Sequence, residues 1–132
     1  MILPTASRVG KALDAILAVL RTAEAIAVGL SVVKGLGWPV EETKLGFGFR
    51  WTKLSGRELV SWANPMVRII GSHFAVDDSA EHFVELPLDT PVSAIAPYVE
   101  KVVNRLFSAF CGYKVQEAAI ESWVQRLIER RL

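Results

Sequence analysis

The first quarter of the chain constrains the fold most, because Val9, Leu13, Ile16, Leu20, Ala23, Ala27 and Leu30 recur at alternating spacings of four and three. That period is helical, and it predicts one helix from Pro4 to Lys34 with Thr5 or Ser7 at its start and Gly35 at its end. A second apolar line, Ala12, Val19, Ile26 and Val33, runs down another side. The polar sector is reduced to Lys11, Asp14 and Arg21, shared with Ala18 and Ala25. A helix apolar around most of its circumference must be covered on more than one side. Leu13, Ile16, Val19, Leu20, Ile26, Leu30 and Val33 are therefore the interface candidates, facing a second copy of the chain or a protein partner.

The same stretch has to be weighed as a membrane span. Asp14, Arg21 and Glu24 interrupt it, and its longest uncharged run, Ala25 to Val33, falls well short of the roughly 20 residues a span needs. No membrane span is expected, and the same charges argue against a secretory signal. A single cysteine, Cys111, excludes an intramolecular disulfide and fits a reducing compartment, so the expected location is the cytoplasm. With 132 residues, 52% of them apolar, the chain has the size and the material for one hydrophobic core. A net charge of +1 supplies no sequence-wide field for a polyanion, so nucleic-acid binding would need a local patch.

Beyond Trp38-Pro39 the period changes from 3.6 to 2. Leu45, Phe47, Phe49 and Trp51 alternate with Lys44, Gly46, Gly48 and Arg50, which predicts a half-buried strand whose other face lets a backbone, a ring or a ligand approach its glycines. Leu54 to Arg57 supplies turn chemistry, and 58–62 returns as a second strand. Residues 66–76 offer a third strand. Asp77 to Ala80 turns the chain, and 82–88 forms a fourth strand with His82, Val84, Leu86 and Leu88 on one face, limited by Pro87. Residues 91–96 read as a turn. Pro97 then opens a helix to Phe110, since proline is tolerated at the first helical position. A last helix, from about Val115 to Arg131, has Glu117 and Glu121 near its start and Arg126, Arg130 and Arg131 near its end, the order the helix dipole favours.

The expected fold is thus α+β in a single domain over 1–132. A long N-terminal helix lies within 1–35, a three- to four-stranded antiparallel meander spans 44–88, and two C-terminal helices within 91–132 pack on the sheet.

Gly46-Phe47-Gly48-Phe49 resembles, over four positions, the core of the RNP1 motif of RNA-recognition domains, and that resemblance implies aromatics stacking on bases. The surroundings depart from it. Leu45 stands where a basic residue belongs, Arg50 where an aliphatic one does and Lys53 where the last aromatic should fall; a long helix also precedes this strand. A core-facing aromatic strand accounts for the same residues. Phe47, Phe49, Arg50, Trp51, Arg57, Trp62 and Arg68 are nevertheless the candidates for a small ligand or a nucleic acid, as a basic, aromatic surface or as the lining of an apolar pocket. Arginine stems lying over tryptophan explain them without a ligand.

His73, Asp77 and His82, with Asp78, Glu81 and Glu85 nearby, gather imidazole and carboxylate around one hairpin and are weak metal candidates. Their spacing has no diagnostic pattern, and solvated hairpin residues look the same. There is no Gly-x-Ser-x-Gly elbow, no phosphate-binding glycine loop and no Cys-His constellation around Cys111, so no enzyme activity and no cofactor are expected. The functional expectation is a non-catalytic accessory domain that self-associates or docks a partner through the N-terminal helix. The alternatives are a small-ligand sensor or carrier with an aromatic pocket, and nucleic-acid binding through the arginine and tryptophan strand face.

Overall fold

A computed structural model describes residues 12–60, 74–110 and 117–131. The elements run β1 (Ala12–Asp14), α1 (Ala15–Gly35), β2 (Lys44–Trp51), β3 (Glu58–Val60), β4 (Ala80–Pro87), a 3-10 turn at Val92–Ala94, α2 (Ala96–Phe107) and α3 (Glu117–Arg131). The chain is mixed helix and strand, with antiparallel pairing in its longer ladder.

The first helix begins later than its periodicity predicts. Asp14, expected in the polar sector, instead has extended backbone and caps the helix, its Oδ1 accepting from Ile16 N at 2.9 Å and Leu17 N at 3.1 Å. Ala12 and Leu13 continue the helical spacing in sequence but form β1, while the expected caps Thr5 and Ser7 lie outside the described residues. An aspartate cap accepts from first-turn N–H groups for which no upstream turn supplies a carbonyl, and it sets the boundary where apolar spacing alone does not. Asp14→Ala is expected to destabilise the protein by about 1 kcal/mol, measured as a lower urea midpoint at unchanged slope.

Among the described residues, the meander is corrected to two separate pairs of strands. β1 and β3 pair in parallel, Ala12 with Glu58 through Asp14 with Val60, and β2 and β4 pair antiparallel, Lys44 with Pro87 through Trp51 with Ala80. The expected hairpin between the first two strands fails at residues 52–57. Leu54 turns into the core, its N–H donating to Asp78 O at 2.8 Å, and Lys53 and Gly56 take positive φ of 57° and 80°. The chain therefore leaves the β2 plane and delivers β3 to β1. Of the expected strand at 66–76, only 74–76 is described, where Phe74 bridges Glu58 antiparallel and Ala75 N donates to Arg57 O at 2.8 Å.

The expected strand at 82–88 appears as β4, with Val84 and Leu86 buried and Phe83 and Glu85 exposed. Leu88, just beyond it, is also buried, and its N–H donates to Thr43 O at 2.7 Å. Pro97 sits in the first turn of α2, as its ring geometry favours. The buried stripe of that helix, Val99, Val102, Val103, Leu106 and Phe107, packs on β4, α1 and α3. α3 rests chiefly on α1 and α2, through Ile120 and Val124, so only the first of the two C-terminal helices packs on the sheet in the expected manner. The core lies between α2, the inner face of the β2–β4 ladder and one side of α1.

Candidate functional site

α1 has three differently surrounded sides. Ala15, Ile16, Val19, Thr22, Ala23, Ile26 and Leu30 are buried at helical spacing, and Thr22 satisfies its hydroxyl by donating to Ala18 O at 2.8 Å. Four of the interface candidates, Ile16, Val19, Ile26 and Leu30, are thus covered by the chain's own core. Leu20 is half-buried, Leu13 and Val33 pack partly against the core, and Leu13 belongs to β1 rather than to the helix. The outward side carries other residues. Leu17, Val28, Val32 and Leu36 are exposed, followed by exposed Trp38 and Val40. Their line, with Arg21 and Ala25 completing it, was visible as spacings of four, four, three, four and four. Beside Val28 lies an apolar cleft of about 320 Å³ between α1, the 3-10 turn and α3, lined by Ala27, Val92, Ile95, Leu127 and Ile128 among others. By length and composition α1 is also long and apolar enough to cross a membrane, and 39% of its apolar 18-residue window is buried within the fold.

The third side faces the aromatic strand. Phe47, Phe49 and Trp51 form a ladder on the inner face of β2, with centroids 6.4 and 6.1 Å apart and ring planes inclined by 21° and 14°. At one end Phe47 closes on the helix so tightly that a Cβ on Gly29 would lie 2.5 Å from its ring. Toward Phe49 and Trp51 the helix presents Ala18 and Ala25, too small to fill the space, and a trough of about 480 Å³ opens there. Its walls include Leu13, Leu17 and Arg21.

The ligand and nucleic-acid candidates are therefore split. Arg50 lies on the outer face of the ladder, opposite Glu81, while its neighbour Trp51 faces inward with Phe47 and Phe49, because successive strand residues alternate sides. Among the described candidates, Arg50 and the aromatic residues of β2 therefore lie on opposite faces. The outer face instead carries Phe83, whose ring lies across Gly46 so that a Cβ there would meet it at 2.5 Å, and Gly48 beside it is uncovered. Arg57 sits in the turn before β3 with its Nε buried and without a hydrogen-bond partner. Trp62 and Arg68 lie outside the described residues, as do His73 and Cys111. Of the weak metal candidates, Asp77 is exposed and His82 half-buried opposite Phe49. Asp78 secures the 52–57 turn, its Oδ1 accepting from Ser55 N at 3.4 Å, and among the described residues no three metal-binding side chains converge. No family model, curated protein or solved structure matches the chain.

Proposed function

We propose that the protein is a non-catalytic interaction domain that self-associates through the outward side of α1. The observation that carries this reading is the exposed line Val28, Val32 and Leu36, continued by Trp38 and Val40. A contiguous apolar line of this kind on a folded surface marks an interaction site. The apolar cleft between α1 and α3 adjoins Val28, so ridge and recess share one surface, which is the self-complementarity that a two-fold contact requires. The reading takes α1 as a helix of a soluble, cytoplasmic fold whose inner side rests on α2 and α3.

Light scattering over a wide range of protein concentration tests it. The wild-type mass is expected to rise with concentration toward a dimer, and Val28→Glu with Val32→Glu to hold the protein at monomer mass throughout. A wild-type protein that stays monomeric, or a double variant that associates equally well, overturns the reading.

A ligand-carrier reading is favoured by one separate observation, the trough between α1 and β2, which falls within the roughly 300–1,000 Å³ of small-molecule sites.

A further inference from the structure

We infer that this trough binds a free amphiphilic anion, an apolar chain or ring bearing a carboxylate, with its apolar part on Phe49 and Trp51 and its carboxylate on Arg21. The floor is aromatic, and the wall is largely apolar apart from Asp14, Arg21 and Thr22. Phe49 and Trp51 present nearly parallel rings, and Leu13, Leu17, Ala18 and Ala25 face them. Among the described residues of this lining, Arg21 supplies the fixed positive charge. Its side chain is exposed. A guanidinium keeps its charge at all ordinary pH values and presents a planar fork that matches a carboxylate bidentately.

The other charged residue on the lining is Asp14, whose Oδ1 is committed to the N–H groups of Ile16 and Leu17. It stands about two helical turns, roughly 10 Å, from Arg21 along the axis, so it leaves the head-group end to the arginine. A neutral chain gains only the apolar contact, and a cationic one meets a like charge. The trough lies between a helix and a strand of the fold, and a free amphiphile rather than a bilayer lipid is the occupant proposed for it.

Titration calorimetry of the full chain with octanoate tests the site, with 1-octanol, octyltrimethylammonium and phosphatidylglycerol vesicles as separate arms. Octanoate is expected to bind, 1-octanol to bind at least tenfold more weakly, and the cation and the vesicles to give no heat of binding. Arg21→Gln is expected to weaken octanoate roughly tenfold or more, with Arg21→Lys recovering part of the loss. Ala25→Leu, placed in the trough on an exposed helix position, is expected to abolish binding while circular dichroism reports an unchanged fold. The site is overturned by absent octanoate binding, equal binding of 1-octanol, indifference to Arg21→Gln, or binding to vesicles alone. Failure here leaves self-association untouched, since that is read from Val28 and Val32, which do not line the trough.

Discussion

Aspartate at position 26 is expected to leave the chain unfolded, whereas aspartate at position 28, two residues along the same helix, is expected to change stability by no more than about 0.5 kcal/mol in dilute solution. Ile26 is 0% exposed and Val28 54% exposed. At position 26 the substitution removes a large apolar side chain from the core and puts an unpaired carboxylate in its place. The lost burial alone is worth about 2–5 kcal/mol, and a buried charge without a partner adds several more. The sum reaches the whole stability of a domain this size, about 5–15 kcal/mol. At position 28 the carboxylate stays in water. Far-UV circular dichroism with urea titration of both variants reads the contrast directly. Equal tolerance at the two positions would contradict the orientation of α1, and equal intolerance is the result a helix surrounded by lipid would give.

Phe107→Ala is expected to cost about 3–5 kcal/mol. Phe107 is fully buried at the end of α2, a helix that packs on β4, α1 and α3. Truncating it leaves a cavity that three elements would have to close together, and such sites collapse poorly. The measurement is the drop in the urea midpoint. A loss below about 1 kcal/mol, the scale of a tolerated core exchange, would show that Phe107 is not enclosed in this way.

What could be read from the residues beforehand depended on how local the physics was. The alternation of Leu45 to Trp51 against Lys44 to Arg50 is a property of one strand, and the structure keeps it residue by residue. Pro97 likewise announces the start of α2 through its own ring. The beginning of α1 was hidden because Val9, Leu13 and Ile16 continue the helical period across a boundary that a single carboxylate, Asp14, decides. Pairing of Ala12 with Glu58 has no local signature at all, since it depends on Leu54 and Asp78 diverting the chain between β2 and β3.

The candidate site shows the same division. More than one apolar line on α1 could be seen in the spacing, but which one the chain covers itself depends on where α2 and α3 land. The trough was missed because Ala18 and Ala25 read as gaps in a polar sector. Only the register of α1 against Phe47, Phe49 and Trp51 turns those small residues into a recess. The expected joining of Arg50 with Trp51 overlooked the strand geometry that had itself been inferred, which sends neighbours to opposite sides.

The dependence of α1 on α2 and α3 also sets an order of events during synthesis. The helix leaves the ribosome early, but the elements that cover its inner side are encoded by residues 96–131, at the far end of the chain. At roughly 5–20 residues per second, the most apolar segment of the protein waits on the order of 5–20 s for its covering partners. Throughout that interval both of its apolar sides are open to chaperones, to targeting factors that read hydrophobic nascent helices, and to neighbouring chains on the same message. The exposed line of Val28, Val32 and Leu36 on the finished fold is thus part of a larger apolar surface that the nascent chain exposes in full.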